Sequence, residues 1–162
     1  MITDKKIPKK EFSYDESLFS FYTQHLYRLI PEEEKVEILG QPECELEPKF
    51  LGFVNVYGPL ASLIPTDKIV IDFGCYVAAQ SYLFPAHKQY IGVDVIRLKR
   101  FSPRNAVHGE MTIQEFIANV LPELLKEHDI NDFFAICSYV PDREATELVR
   151  KTFPNVFCYY PS

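Results

Sequence analysis

The sequence predicts an α/β fold, with a doubly wound, mostly parallel sheet of about five strands behind a helical N-terminal extension. Two observations carry this expectation. From residue 69 onward, short and almost wholly apolar runs alternate with stretches of helical periodicity, the order that builds β-α-β units. Those runs also lack polar–apolar alternation, as parallel strands covered on both faces require.

The first run is the most informative. Ile69-Val-Ile-Asp-Phe leads into Gly74 and then into small residues able to open a helix. A second run, Tyr90-Ile-Gly-Val, closes on Asp94, twenty residues after Gly74. A strand, a glycine turn, a helix and a second strand ending in an acid make a nucleotide-binding βαβ unit of Rossmann-like type.

At 162 residues, with 47% hydrophobic and 25% charged side chains, the chain fits one globular domain with a substantial core. It divides into an extension over 1–65 and an α/β core over 66–162. No apolar run reaches the ~20 residues that cross a bilayer, so no membrane partner is expected. The basic start, Met-Ile-Thr-Asp-Lys-Lys, lacks the apolar stretch of a signal peptide, and a cytoplasmic location is the expectation.

Elements follow in chain order. Residues 1–12 read as a tail. Ser13-Tyr-Asp-Glu16 is a capping box, and Leu18, Tyr22, Leu26 and Leu29 then repeat at helical spacing up to Pro31. A short helix over 32–39 ends at Gly40, with a loop around Pro42 and Pro48. Residues 50–64 are apolar but broken by Gly58-Pro59, which predicts a helix on one or both sides of the break.

Strands are expected over 69–73 and 89–93, with a helix over 78–84 stopped by Pro85. A basic loop over 95–105 precedes a short edge strand at 106–108. Thr112-Ile-Gln-Glu115 caps a helix whose stripe is Ile113, Phe116, Ile117, Val120, Leu121, Leu124 and Leu125, and Pro122 predicts a kink or a split near Asn119. A strand over 133–137, a helix capped by Asp142 and a strand over 156–160 complete the chain.

Charge and spacing exclude several functions. The net charge of −6 argues against a general nucleic-acid binder. Residues 31–49 hold seven glutamates against two lysines, while Arg97, Lys99, Arg100 and Arg104 form a small basic cluster. Both read as solvated surface. The four cysteines and four histidines lack metal-ligand spacing, and no disulfide framework is suggested.

Val70-Ile-Asp-Phe-Gly-Cys, Tyr90-Ile-Gly-Val-Asp94, Gly109-Glu110 and Phe134-Ala-Ile-Cys-Ser together resemble the class I S-adenosylmethionine-dependent methyltransferases, over about residues 66–162. The resemblance implies S-adenosylmethionine as cofactor. Asp72 would then sit under the methionine amino group, and Gly74 would admit the cofactor to the backbone. Asp94 would accept the ribose hydroxyls, Val95 and Ile96 would flank the adenine, and Glu110 would face its amino group. Cys137, Ser138 and Tyr139 would lie near the methyl donor.

The chain departs from the family's acid–x–Gly–x–Gly–x–Gly turn, with Tyr76 and Ala78 at the second and third glycine positions. The Pro-Pro turn of amino-methylating nucleic-acid enzymes is replaced by Cys137-Ser-Tyr-Val-Pro-Asp142. Two functions follow as expectations. One is a methyltransferase-like protein of unknown substrate. The other is a catalytically inactive binding or regulatory module, for which the aromatic-rich Phe12, Phe19, Phe21, Tyr22 and Tyr27 could supply a protein-partner surface. A nicotinamide oxidoreductase fits less well, because the chain leaves no room for a separate substrate domain.

Overall fold

The computed structural model describes residues 26–42, 56–138 and 140–159. Five strands form one sheet: β1 (Ile69–Phe73), β2 (Gln89–Asp94), β3 (Ala106–Glu110), β4 (Phe133–Ser138) and β5 (Val156–Tyr159). Their order across the sheet is β3-β2-β1-β4-β5, and every neighbouring pair is parallel. This is the expected α/β architecture. Strand order reverses between β1 and β4, so the crevice at their carboxyl ends is where such sheets hold ligands.

The burial of β1 explains its composition, because all five residues are buried and both faces need apolar side chains. One face presents Val70, Tyr90, Phe134, Ile136 and Phe157. It is covered by helical residues 26–29, by α1 (Glu32–Leu39) through Ile38, by α2 (56–63) through Val56, Tyr57 and Leu60, and by the segment after β1. The opposite face presents Ile71, Phe73, Ile91, Val93, Ala135 and Cys137 to α3 (113–124) and α4 (Arg143–Thr152).

Most of the helical expectations hold. α1 ends at Gly40, as the sequence predicts. Thr112 and Asp142 each accept a backbone N–H in the first turn of the helix they open. Pro122 leaves its mark in the preceding turn, where Phe116–Val120 is a π-helical segment and the Leu121 N–H reaches back to the Phe116 carbonyl. β3 runs two residues further than expected.

Two expectations are corrected. The crossover from β1 to β2 is a 3₁₀ helix, Ala79–Leu83, because Ala78 adopts a left-handed conformation that cannot belong to a helix. Leu125 lies beyond the end of α3 and is 40% exposed, so it is no part of the buried stripe. The Ser13 capping box, the loop around Pro48, Phe12, Phe19, Phe21, Tyr22 and Tyr139 lie outside the described residues. Among the described residues no helix is long and apolar enough to cross a membrane.

Candidate functional site

The turn after β1 has an unusual backbone. Gly74, Tyr76 and Ala78 have φ of 79°, 52° and 58°, so the three positions that would be glycine in the resembled turn are all left-handed. For Gly74 this is free of strain, and a Cβ there would lie 3.1 Å from Val140 Cγ2. For Tyr76 and Ala78 it costs about 1–2 kcal/mol each.

Side chains around the turn offset that strain. Asp94, at the end of β2, accepts the Tyr76 N–H through Oδ2 at 2.8 Å and the Ile96 N–H through Oδ1 at 3.0 Å. Arg100 donates from Nε to the Tyr76 carbonyl at 3.0 Å, and from Nη2 to the carbonyls of Asp94, at 3.4 Å, and Ile96. Its side chain is only 6% exposed, and Glu110 stands 3.9 Å from Nη1. The Tyr76 ring is half-buried against the core.

Beneath the turn lies a second polar cluster. Asp72 is fully buried on the sheet face that carries α2. Its Oδ1 accepts the Tyr57 hydroxyl at 2.6 Å, and its Oδ2 accepts Gln80 Nε2 at 2.8 Å together with the Tyr90 hydroxyl. Burial pushes the Asp72 carboxyl up to about 6, against the three donors, which lower it. Tyr57 and Tyr90 are pushed well above the ordinary phenol range, by burial first and by the Asp72 charge second. Ser138, at the end of β4, is fully buried beside the Tyr57 hydroxyl.

The structure therefore brings Gly74, Tyr76, Asp94 and Ile96 into one hydrogen-bonded turn, with Glu110 beside it through Arg97 and Arg100. Asp72 lies under them in the core. Val95 is 61% exposed. Cys137 lies on the other face of the sheet, where its hydrogen bond with Cys158 and then its burial raise the thiol. Among the described residues no cluster of His, Cys, Asp or Glu could hold a metal ion.

Arg100 corrects the reading of the basic loop as wholly solvated. Arg97 stays in solvent, but Arg100 turns inward to saturate carbonyls at the strand ends. Tyr57, Gln80 and Tyr90 are partners that sequence reasoning missed. Tyr90 shares a sheet face with Asp72 because the register pairs it with Val70, and that register is not written in the residue types. Tyr57 had no signal either, since its contact depends on how α2 docks.

The chain matches no protein-family model, no curated protein and no solved structure.

Proposed function

We propose that this chain is a methyltransferase-like binding or regulatory module in which the nucleotide crevice is closed by the chain's own groups. The observation that carries the reading is that both acids are already engaged within the chain. Each oxygen of Asp94 already accepts a backbone N–H, and Asp72 already accepts three side-chain donors. A ribose approaching Asp94 would have to share each oxygen with a backbone N–H that already occupies one of its lone pairs, so it meets a weaker acceptor than a free carboxylate.

S-adenosylmethionine fits these residues poorly for the same reason. The acceptor that the resemblance assigns to the methionine amino group is bonded to Tyr57 and sealed from solvent. Cys137, assigned to the methyl-donor side, belongs to the core of the opposite face.

A second reading, an active S-adenosylmethionine-dependent methyltransferase of unknown substrate, is favoured by one observation. The left-handed backbone at residues 74, 76 and 78 keeps the shape of a glycine turn, and strain of this kind concentrates at functional sites. Calorimetric titration with S-adenosylmethionine and S-adenosylhomocysteine separates the two. No binding up to millimolar ligand is expected. Micromolar binding that disappears in Asp94→Ala would overturn the module reading and restore the enzyme.

A further inference from the structure

Among the described residues, no strand lies beside the outer edge of β3. Two hydrogen bonds fix the parity of its ladder with β2: the Tyr90 N–H bonds to Asn105 O at 2.9 Å, and the Met111 N–H to Asp94 O at 3.1 Å. Parallel pairing engages alternate residues, so 105, 107, 109 and 111 bond inward while 106, 108 and 110 turn their peptide groups outward. The Ala106 N–H is satisfied by the Pro103 carbonyl. The His108 N–H and C=O and the Glu110 N–H have no strand beside them among the described residues.

Edge strands are commonly protected by proline, lysine or a cover. Ala106–Glu110 contains no proline or lysine, and Val107 is 49% exposed. The ends of this edge also differ in charge. Arg104, just before β3, is exposed and makes no ion pair among the described residues. Glu110, at the other end, has only the loose 3.9 Å contacts to Arg97 and Arg100.

We propose that the β3 edge is a self-association surface whose occupant is β3 of a second copy of this chain, paired antiparallel about a two-fold axis at His108. Parity allows that register, and among the allowed ones it pairs the strand over its full length. His108 meets its own copy and exchanges both peptide hydrogen bonds with it, and Ala106 meets Glu110, whose N–H finds the Ala106 carbonyl. The same two-fold sets the Arg104 end of each strand beside the Glu110 end of the other, so the charges complement each other without help from another protein. Val107 falls opposite Gly109 of the second copy, which offers no side chain to obstruct it. The two sheets become one of ten strands, twice the five in each copy.

The contact is short and each copy carries a net charge of −6, so association is weak and concentration-dependent. Sedimentation velocity across about 1 µM to several hundred µM should show a monomer converting to a dimer with a midpoint in the micromolar range. Hydrogen exchange on the wild type at both ends of that range should show the His108 and Glu110 amides slowing at high concentration, with the inward-bonded amides of Val107 and Gly109 unchanged. Val107→Lys and Glu110→Arg should each give monomer, with the fold verified by circular dichroism. Arg104→Glu combined with Glu110→Arg should restore the dimer. A wild type that stays monomeric throughout, a dimer that survives Val107→Lys, or unchanged exchange at His108 and Glu110 would each overturn the proposal.

Discussion

Asp94 and Arg100 hold the two ends of one residue. Asp94 Oδ2 accepts the Tyr76 N–H at 2.8 Å, and Arg100 Nε donates to the Tyr76 carbonyl at 3.0 Å. An acid and a base with no direct ion pair between them are thus coupled through a single left-handed residue. Charge-assisted bonds of about 1.5–3 kcal/mol apiece outweigh the 1–2 kcal/mol of left-handed strain, so a tyrosine can stand where the turn geometry favours glycine.

This coupling is measurable by a double-mutant cycle. Asp94→Asn and Arg100→Met should each destabilise by about 1–3 kcal/mol in urea denaturation, and the pair together by at least about 0.5 kcal/mol less than their sum. In a Tyr76→Gly background the coupling should shrink, because glycine takes the left-handed conformation unaided. Strict additivity in both backgrounds would mean that the two side chains do not act through Tyr76.

Gly92 sits in the middle of β2, where a residue with a side chain would be ordinary. A Cβ there would lie 2.6 Å from His108 Nδ1 and 2.9 Å from Cys75 Sγ. Both neighbours are hemmed in, since His108 Nε2 is hydrogen-bonded to the Phe101 carbonyl at 2.8 Å and Cys75 is fully buried. Gly92→Ala should therefore destabilise by about 1–3 kcal/mol, the range for overpacking. A thermal midpoint equal to wild type would refute the close packing of β2, β3 and the turn.

The sheet was legible because its cause is local. Ile69–Phe73 and Phe133–Ser138 are buried on both faces, and an unbroken apolar run is what that environment demands. α1 was legible for a similar reason, with Pro31 before it and Gly40 after it. The crossover at Ala79–Leu83 misled, because small residues after Gly74 read as a helix start. Nothing in the residue types announced that Tyr76 and Ala78 would take positive φ. The candidate site was half legible: Asp72 and Asp94 stood out as acids ending strands. Their actual partners depend on sheet register for Tyr90, on helix docking for Tyr57, and on the inward turn of one arginine among several.

Asp72 makes stability depend on pH in an unusual direction. Its folded value, about 6, stands above the ordinary 3.8, so the fold prefers the protonated acid. The resulting contribution is fully present below about pH 4 and is lost as pH rises through about 6, for a total near 3 kcal/mol. Asp129 and Asp142 act oppositely, since backbone N–H donors from Asn131 and Ala145 hold them below the usual range. The Asp72 contribution is therefore isolated as a difference. Unfolding free energies of wild type minus Asp72→Asn should fall by about 3 kcal/mol between pH 4 and pH 7. A difference that is flat, or that rises with pH, would contradict the burial of an ionisable carboxyl at this position.

Tyr57 joins α2 to the end of β1 through one hydroxyl on a fully buried carboxyl, at 2.6 Å. Tyr57→Phe keeps the ring and its edge contact with Phe84, centroids 6.4 Å apart, and removes only the donor. Burial raises the Asp72 carboxyl while the hydroxyl lowers it, so removing the hydroxyl must push the carboxyl above about 6. At pH 7 the variant should be less stable by about 1–3 kcal/mol, the range for a buried group left without a partner. The loss should shrink toward pH 4, where Asp72 is protonated in wild type and variant alike and the missing donor no longer serves a buried charge. Carbon-13 titration of the Asp72 carboxyl, read beside urea midpoints at both pH values, checks the two effects together. A carboxyl that titrates at the same pH in Tyr57→Phe and wild type would show that the hydroxyl does not govern the charge of Asp72.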